Sequence, residues 1–221
     1  MIEENVKKLL EEIPAYNAYG EKVTLVAAVK LQTADSINRA VRGGITDIGD
    51  NHVQEFRDKY ALIEGKPRRH FIGRLQTNKI KYLLGKVDLY HSVDRYGLAE
   101  ELSKKSEKAG VTSNVLIQIN IGNEETKGGF PLEEAEEAFK TISALPALNV
   151  EGLMAMLPAT GNETLLRGLA RAMRKKYDEL NSNGASFKYL SMGMSGDFKL
   201  CVEEGGNMIR LGTAIFGKRS V

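Results

Sequence analysis

Apolar runs rich in β-branched residues alternate along this chain with longer stretches of helical period, a pattern that predicts repeated βα units and a parallel sheet. Eight runs read as strands: Val23–Lys30, Thr46–Asp50, Arg69–Gly73, Leu89–Asp94, Asn114–Asn120, Asn149–Met156, Lys188–Ser195 and Met208–Phe216. The stretches between them carry one apolar stripe each at spacings of three and four, such as Ile37, Ala40 and Val41, or Leu165, Leu169, Met173, Tyr177 and Leu180. The punctuation agrees: Thr33 and Asp94 are placed as N-caps, Gly43–Gly44 and Gly110 as helix stops, and Pro131 as a helix opener. No Pro/Ser linker, repeat or low-complexity tract divides the chain, so residues 1–221 are expected to form a single (β/α)₈ TIM barrel domain.

Composition narrows the function classes. With 42% hydrophobic and 27% charged residues the chain can bury a substantial core. Its 31 basic and 29 acidic residues are interspersed and nearly cancel, so no extended field favours nucleic acid or an anionic membrane. The lone cysteine, Cys201, cannot form an internal disulfide or a thiolate zinc site, which fits a reducing, cytoplasmic setting. The opening MIEENVKKLLEEI mixes charge with spaced apolar residues and reads as a surface helix, neither a secretion signal nor a membrane span.

In such barrels the chemistry lies at the C-terminal ends of the strands. Lys30 ends the otherwise apolar VTLVAAVK, and strand parity puts Val26, Ala28 and Lys30 on one side. A partly desolvated amine there would suit attack on an aldehyde, while the plain alternative is a strand-end lysine that reaches into water. Ser195 ends strand seven and Gly196 follows it, and Gly212 and Thr213 lie on strand eight; barrels commonly bind phosphate in the loops after these two strands. Turn-forming alone would also account for either segment. Arg210 shares a side with Gly212 inside an apolar strand, and a buried arginine needs an acceptor. His52, His70 and His91 show no metal-ligand spacing, and His91 reads as a satisfied barrel residue. The polar loops RLQTNK (74–79) and NIGNEETKGG (120–129), the latter with Lys127, should lie at the open face.

From end to end the chain resembles the pyridoxal phosphate homeostasis proteins, through VAAVK at 26–30, IGDNHVQE at 48–55, HFIGRLQTNK at 70–79, HSVD at 91–94, NVLIQIN at 114–120, EGLMAM at 151–156, SMGMSGD at 191–197 and RLGTAIFG at 210–217. The resemblance implies a barrel similar to the N-terminal domain of alanine racemase, with pyridoxal 5′-phosphate (PLP) held as a Schiff base on Lys30. It further implies Arg210 as partner of the pyridine nitrogen, Ser195, Gly212 and Thr213 as phosphate ligands, and Asn51 as a further residue of the cofactor pocket. Two departures stand out: Val29 and Gln32 occupy places where the family usually has serine and a second lysine, and Asp50 and His52 stand where it usually reads GENY.

The implied role is a cytoplasmic, monomeric carrier or buffer of PLP without turnover, with apo forms of PLP-dependent enzymes as recipients. An arginine on the ring nitrogen can only donate, which makes the ring a poor electron sink. A racemase-like or retro-aldol enzyme using the same lysine stays open at this point, as does a barrel enzyme that forms a Schiff base with a phosphorylated sugar.

Overall fold

The computed structural model describes residues 1–124 and 126–217. Strands β1 (Thr24–Ala28), β2 (Asp47–Asp50), β3 (Arg68–Phe71), β4 (Leu89–Val93), β5 (Ser113–Ile119), β6 (Leu148–Ala155), β7 (Tyr189–Ser191) and β8 (Met208–Leu211) pair in chain order, all parallel, and close with β8 against β1. Helices α1 (Ile2–Glu12), α2 (Ala34–Arg42), α3 (Val53–Lys59), α4 (Tyr96–Ala109), α5 (Ala135–Ser143), α6 (Glu163–Ser182), α7 (Phe198–Glu203) and α8 (Thr213–Phe216) surround it, with a 3₁₀ segment at Thr77–Tyr82 after β3. The expected eight-stranded parallel barrel is therefore the observed one.

Strand parity builds the two sides of the wall. Leu25, Ala27 and Val29 pack outward against Ile37 and Ala40 of α2 and Val6 and Leu9 of α1. Val26, Leu89, Leu116, Met154 and Met208 point inward and form an apolar layer in the lumen. Each fully buried aliphatic side chain in these layers contributes roughly 1.5–3 kcal/mol. Because α8 is a single turn, α1 supplies much of the cover over β8 and β1, and Asn5 Nδ2 ties the two helices by donating to the Ile215 carbonyl at 3.1 Å.

Several local expectations are corrected. Strand eight stops at Leu211, and Thr213–Phe216 is a helical turn in which Phe216 N–H bonds back to the Gly212 carbonyl at 3.0 Å. The apolar AIF run carries no period of its own, so it reads equally as strand or buried helix. Strand seven stops at Ser191, because Gly193 then adopts a φ of +104° and a Cβ there would meet Phe198 Cα and Cys201 Cβ at 3.0 Å. Ser195 thus lies in the following turn instead of on the strand. The stripe of α6 runs through Leu166, Ala170, Met173, Tyr177 and Leu180, one residue from the expected start, which leaves Leu165 exposed. Thr33 caps α2 through the Ser36 N–H and Gly110 closes α4 in the left-handed region, as expected. Asp94 is no cap: Arg95 holds that position, and the Asp94 carboxylate pairs with Arg95 and, at 3.7 Å, with Arg74. Among the described residues no helix is long and apolar enough to cross a membrane.

Candidate functional site

At the C-terminal end of the barrel a cavity of about 300 Å³ is lined by Ala28, Lys30, Arg210, Ser195, Gly212 and Thr213, with Gln32, Met194, Gly196, Phe216 and Gly217 completing the wall. Five of the six expected site residues therefore share one cavity. They come from just beyond β1, from β8 itself and from the loops that follow β7 and β8, which closure of the barrel makes neighbours.

Lys30 stands two residues beyond the end of β1, and Val29 N–H still bonds the Gly49 carbonyl at 2.9 Å, which holds the chain extended up to it. The lysine is exposed, in contrast to the expected half-buried strand end, because the chain turns immediately afterward. Leu31 takes a φ of +60°, an uncommon state for a residue with a branched side chain. That turn is tied down from α3: the Glu55 carboxylate accepts the Leu31 N–H at 2.7 Å and pairs with Lys59 at 2.8 Å, while Lys59 donates to the Gln32 carbonyl at 2.9 Å. Glu55 and Lys59 thereby position the Lys30 backbone.

Arg210 is only 6% exposed, yet it faces no carboxylate within ion-pair distance among the described residues. Its guanidinium donates to Ser191 Oγ at 2.6 Å and to the Ala155 carbonyl at 3.0 Å, and burial holds its pKa down to about 10, so it stays cationic at neutral pH. Ser195, in the turn before α7, and Thr213, the first residue of α8, are exposed hydroxyls, and the first backbone N–H groups of α8 have no acceptor within the helix. Two basic groups, two hydroxyls and open N–H groups in one small cavity suit an anionic ligand that carries an electrophilic carbon.

Asn51 lies apart from this cavity. The register pairs Ala28 with Gly49, so Lys30 and Asn51 occupy matching places beyond adjacent strand ends. The Asn51 side chain nevertheless opens onto a neighbouring cavity of about 610 Å³ with His52, Arg74, Gln76, Lys79 and Arg95. Its Oδ1 is buried without a hydrogen-bond partner, and Gly73 permits the close approach: a Cβ there would fall 2.0 Å from the Asn51 carbonyl. Lys127 also stays away from the Lys30 cavity, held by Glu124 at 2.6 Å and the Leu157 carbonyl at 3.3 Å. Cys201 is buried and its thiol is pushed up by that burial, which makes it a packing residue. No cluster of three or more potential metal ligands exists among the described residues.

Asp50, at the end of β2, is 2% exposed, and burial raises its pKa to about 6 against the attraction of Lys59 and Arg69. The native state therefore binds this proton more tightly than the unfolded chain, and stability falls as pH rises from about 4 to about 6. Asp50→Asn is expected to stabilise the protein by about 1–3 kcal/mol at pH 7.5 and to leave it unchanged at pH 4. Urea unfolding at both pH values measures this; an equal effect at both would remove the titration as its cause.

The closed barrel with a lysine and a hydroxyl-lined cavity at its C-terminal mouth defines a class, and comparison with known proteins narrows it. The family described as "Alanine racemase, N-terminal domain" matches residues 2–220. The pyridoxal phosphate homeostasis protein of Aquifex aeolicus is 44% identical over 197 residues, covering 88% of this chain and 86% of that protein. The structure of PipY of Synechococcus elongatus with PLP bound superposes with a TM-score of 0.87 at 29% identity, covering 98% of this chain and all of that one. Alanine racemase of Corynebacterium glutamicum shares the fold, with a TM-score of 0.77 at 17% identity over 99% of this chain and 61% of its own. The chain belongs to the alanine racemase N-terminal domain family and groups within it with the pyridoxal phosphate homeostasis proteins.

Proposed function

We propose that this protein binds pyridoxal 5′-phosphate through Lys30 and serves the cell as a PLP homeostasis protein, a carrier or buffer of the cofactor. The observation that carries this reading is the single cavity that brings together Lys30, Arg210, Ser195, Gly212 and Thr213. Its volume lies at the small end of ligand sites, as a compact cofactor requires. The PLP-bound state of PipY and the name borne by the Aquifex relative support it. When bound, the cofactor supplies an electrophilic aldehyde next to an aromatic ring and a phosphate.

The residues present fit that group. Lys30 offers its amine to the aldehyde carbon from the β1 side. Ser195, Thr213 and the backbone at Gly212 offer hydrogen bonds to the phosphate from the β7 and β8 loops. Arg210 offers an N–H to the ring nitrogen and, being cationic, keeps that nitrogen unprotonated. Asn51 occupies the matching place beyond β2 at the same end of the barrel, but it lines the adjacent cavity and is not counted among these contacts. Residues 1–221 act in this reading as one cofactor-binding domain, monomeric and cytoplasmic, that passes PLP to apo enzymes.

Ser195→Ala and Thr213→Val are each expected to weaken PLP retention by about 1–3 kcal/mol, the range for a hydrogen bond to a charged group. Both hydroxyls are exposed, so the fold should tolerate the change. Pyridoxal, which lacks the phosphate, should bind the wild type and both variants alike. Equal losses for PLP and pyridoxal in an equilibrium titration would place the phosphate elsewhere.

A further inference from the structure

Below Arg210 the barrel lumen holds an uninterrupted line of polar side chains. Ser191 Oγ lies 2.6 Å from the Arg210 guanidinium and 3.2 Å from His91 Nδ1. His91 Nε2 lies 2.9 Å from His70 Nδ1, and His70 Nε2 lies 2.9 Å from Asp47 Oδ1. Each of these residues except Arg210 (6%) and Asp47 (5%) is fully buried. They come from five different strands, and both histidines face the lumen through strand parity.

With both imidazoles neutral, one arrangement of hydrogens satisfies this line from end to end. Arg210 only donates, so Ser191 Oγ accepts from it and turns its own hydrogen toward His91 Nδ1. His91 is kept neutral by burial, with the charges of Arg210 and Arg68 adding to the effect. With Nδ1 accepting, its hydrogen is on Nε2 and is donated to His70 Nδ1. His70 accepts there and donates from Nε2 to Asp47. Every bond points from the cation toward the carboxylate, and no group has two hydrogens in conflict.

We infer that Ser191, His91, His70 and Asp47 form a polarised hydrogen-bonded chain through the barrel axis that orients Arg210 for the cofactor ring and serves this buried cation as its remote counter-charge. His91, His70 and Asp47 are positioning residues, since none of them lines the Lys30 cavity. The role rests on the PLP reading above. Asp47 is held in its charged form despite burial, by hydrogen bonds from His70 and from Thr46 at 2.7 Å and by the charge of Arg68 at 3.4 Å. Arg68 in turn donates to Tyr189 at 3.1 Å. Asp47, Arg68, Thr46 and Tyr189 also line a cavity of about 920 Å³ at the N-terminal end of the barrel, so the chain spans the lumen from one open end to the other. A change of charge at that end is thereby read at the cofactor end.

The test begins with cofactor-free protein. Nitrogen-15 NMR of the imidazole rings at neutral pH should show His70 and His91 both neutral with hydrogen on Nε2. Asp47→Asn should disturb the His70 and His91 ring signals, shift the visible absorbance maximum of bound PLP, and weaken PLP retention about three- to tenfold. Should Asp47→Asn fail to fold, Ser191→Ala cuts the chain at its other end and should give the same absorbance shift, while Ser191→Thr, which keeps the hydroxyl, should restore it. A mixed or Nδ1 tautomer in the wild type overturns the polarity. Altered ring signals with unchanged absorbance and affinity overturn the link to Arg210 and leave a structural network. Wild-type protein that carries hydrogen on Nε2 of both histidines yet takes up no PLP overturns the binding reading instead, and with it the chain's service to a cofactor.

Discussion

Lys30→Ala is expected to abolish both the yellow colour of the PLP-loaded protein and the pyridoxyl adduct left by borohydride reduction, while the barrel stays folded. The fold should be indifferent because β1 ends at Ala28, the lysine is exposed, and it makes no hydrogen bond or ion pair among the described residues. Truncation at such a surface position usually changes stability by less than about 0.5 kcal/mol. Covalent retention, by contrast, depends on Lys30, the one amine in the cavity lining among the described residues, since Arg210 cannot play the same part. Peptide mass spectrometry after reduction should find the adduct on Lys30 alone in the wild type and nowhere in the variant. Residual PLP binding through Ser195, Thr213 and Gly212 should remain, reversible and removed by desalting, because the proposed phosphate contacts are left intact. An adduct confined to another lysine would move the site, and loss of soluble protein would make Lys30 a structural residue.

Much of this architecture is legible in the chain because a parallel barrel repeats one pattern. Inward Val26 and outward Leu25 and Ala27 follow directly from parity, as does the shared side of Arg210 and Gly212. The ends of the elements are less legible. The helical turn at Thr213–Phe216 and the early end of β7 depend on how loops close over neighbouring strands, and three apolar residues in a row carry no period. The lumen chain was hidden for another reason. His70 and His91 lie 21 positions apart, and only the register of β3 on β4 makes them partners. The signal that could have found it is polarity at inward parity: Asp47, His70, His91, Ser191 and Arg210 all stand on the lumen side, where an apolar layer would ordinarily continue. Glu55 is similar, since a glutamate in the first turn of a helix reads as a surface charge until the Leu31 N–H is seen beneath it. Asn51 shows the limit of transfer by resemblance: its place beyond the strand end agrees, but its side chain opens onto the adjacent cavity.

The same lining residues bear on catalysis. A protein that racemises or deprotonates an amino acid at a PLP site needs groups that can take and return a proton on both sides of the substrate. Among the described residues of the cavity wall, Lys30 is the one amine: Ser195 and Thr213 are alcohols, Gln32 is an amide, and Arg210 remains a cation that only donates. No tyrosine or histidine belongs to the wall. His70 and His91 are spent within the lumen chain, and His52 opens onto the neighbouring cavity. In the proposed pose, with Arg210 against the ring nitrogen, the ring would also withdraw electrons weakly. Loaded protein is therefore expected to exchange the α-proton of common amino acids with solvent deuterium far more slowly than the roughly 1–10³ s⁻¹ at which enzymes usually turn over. Incubating it with each D- and L-amino acid in deuterium oxide and following the α-proton signal by NMR detects deprotonation even where no product accumulates. Exchange at enzymatic rates that disappears in Lys30→Ala would sink the carrier reading in favour of a racemase-like enzyme. Slow exchange that is the same with and without Lys30 would show that the bound cofactor is held, not used, by this barrel.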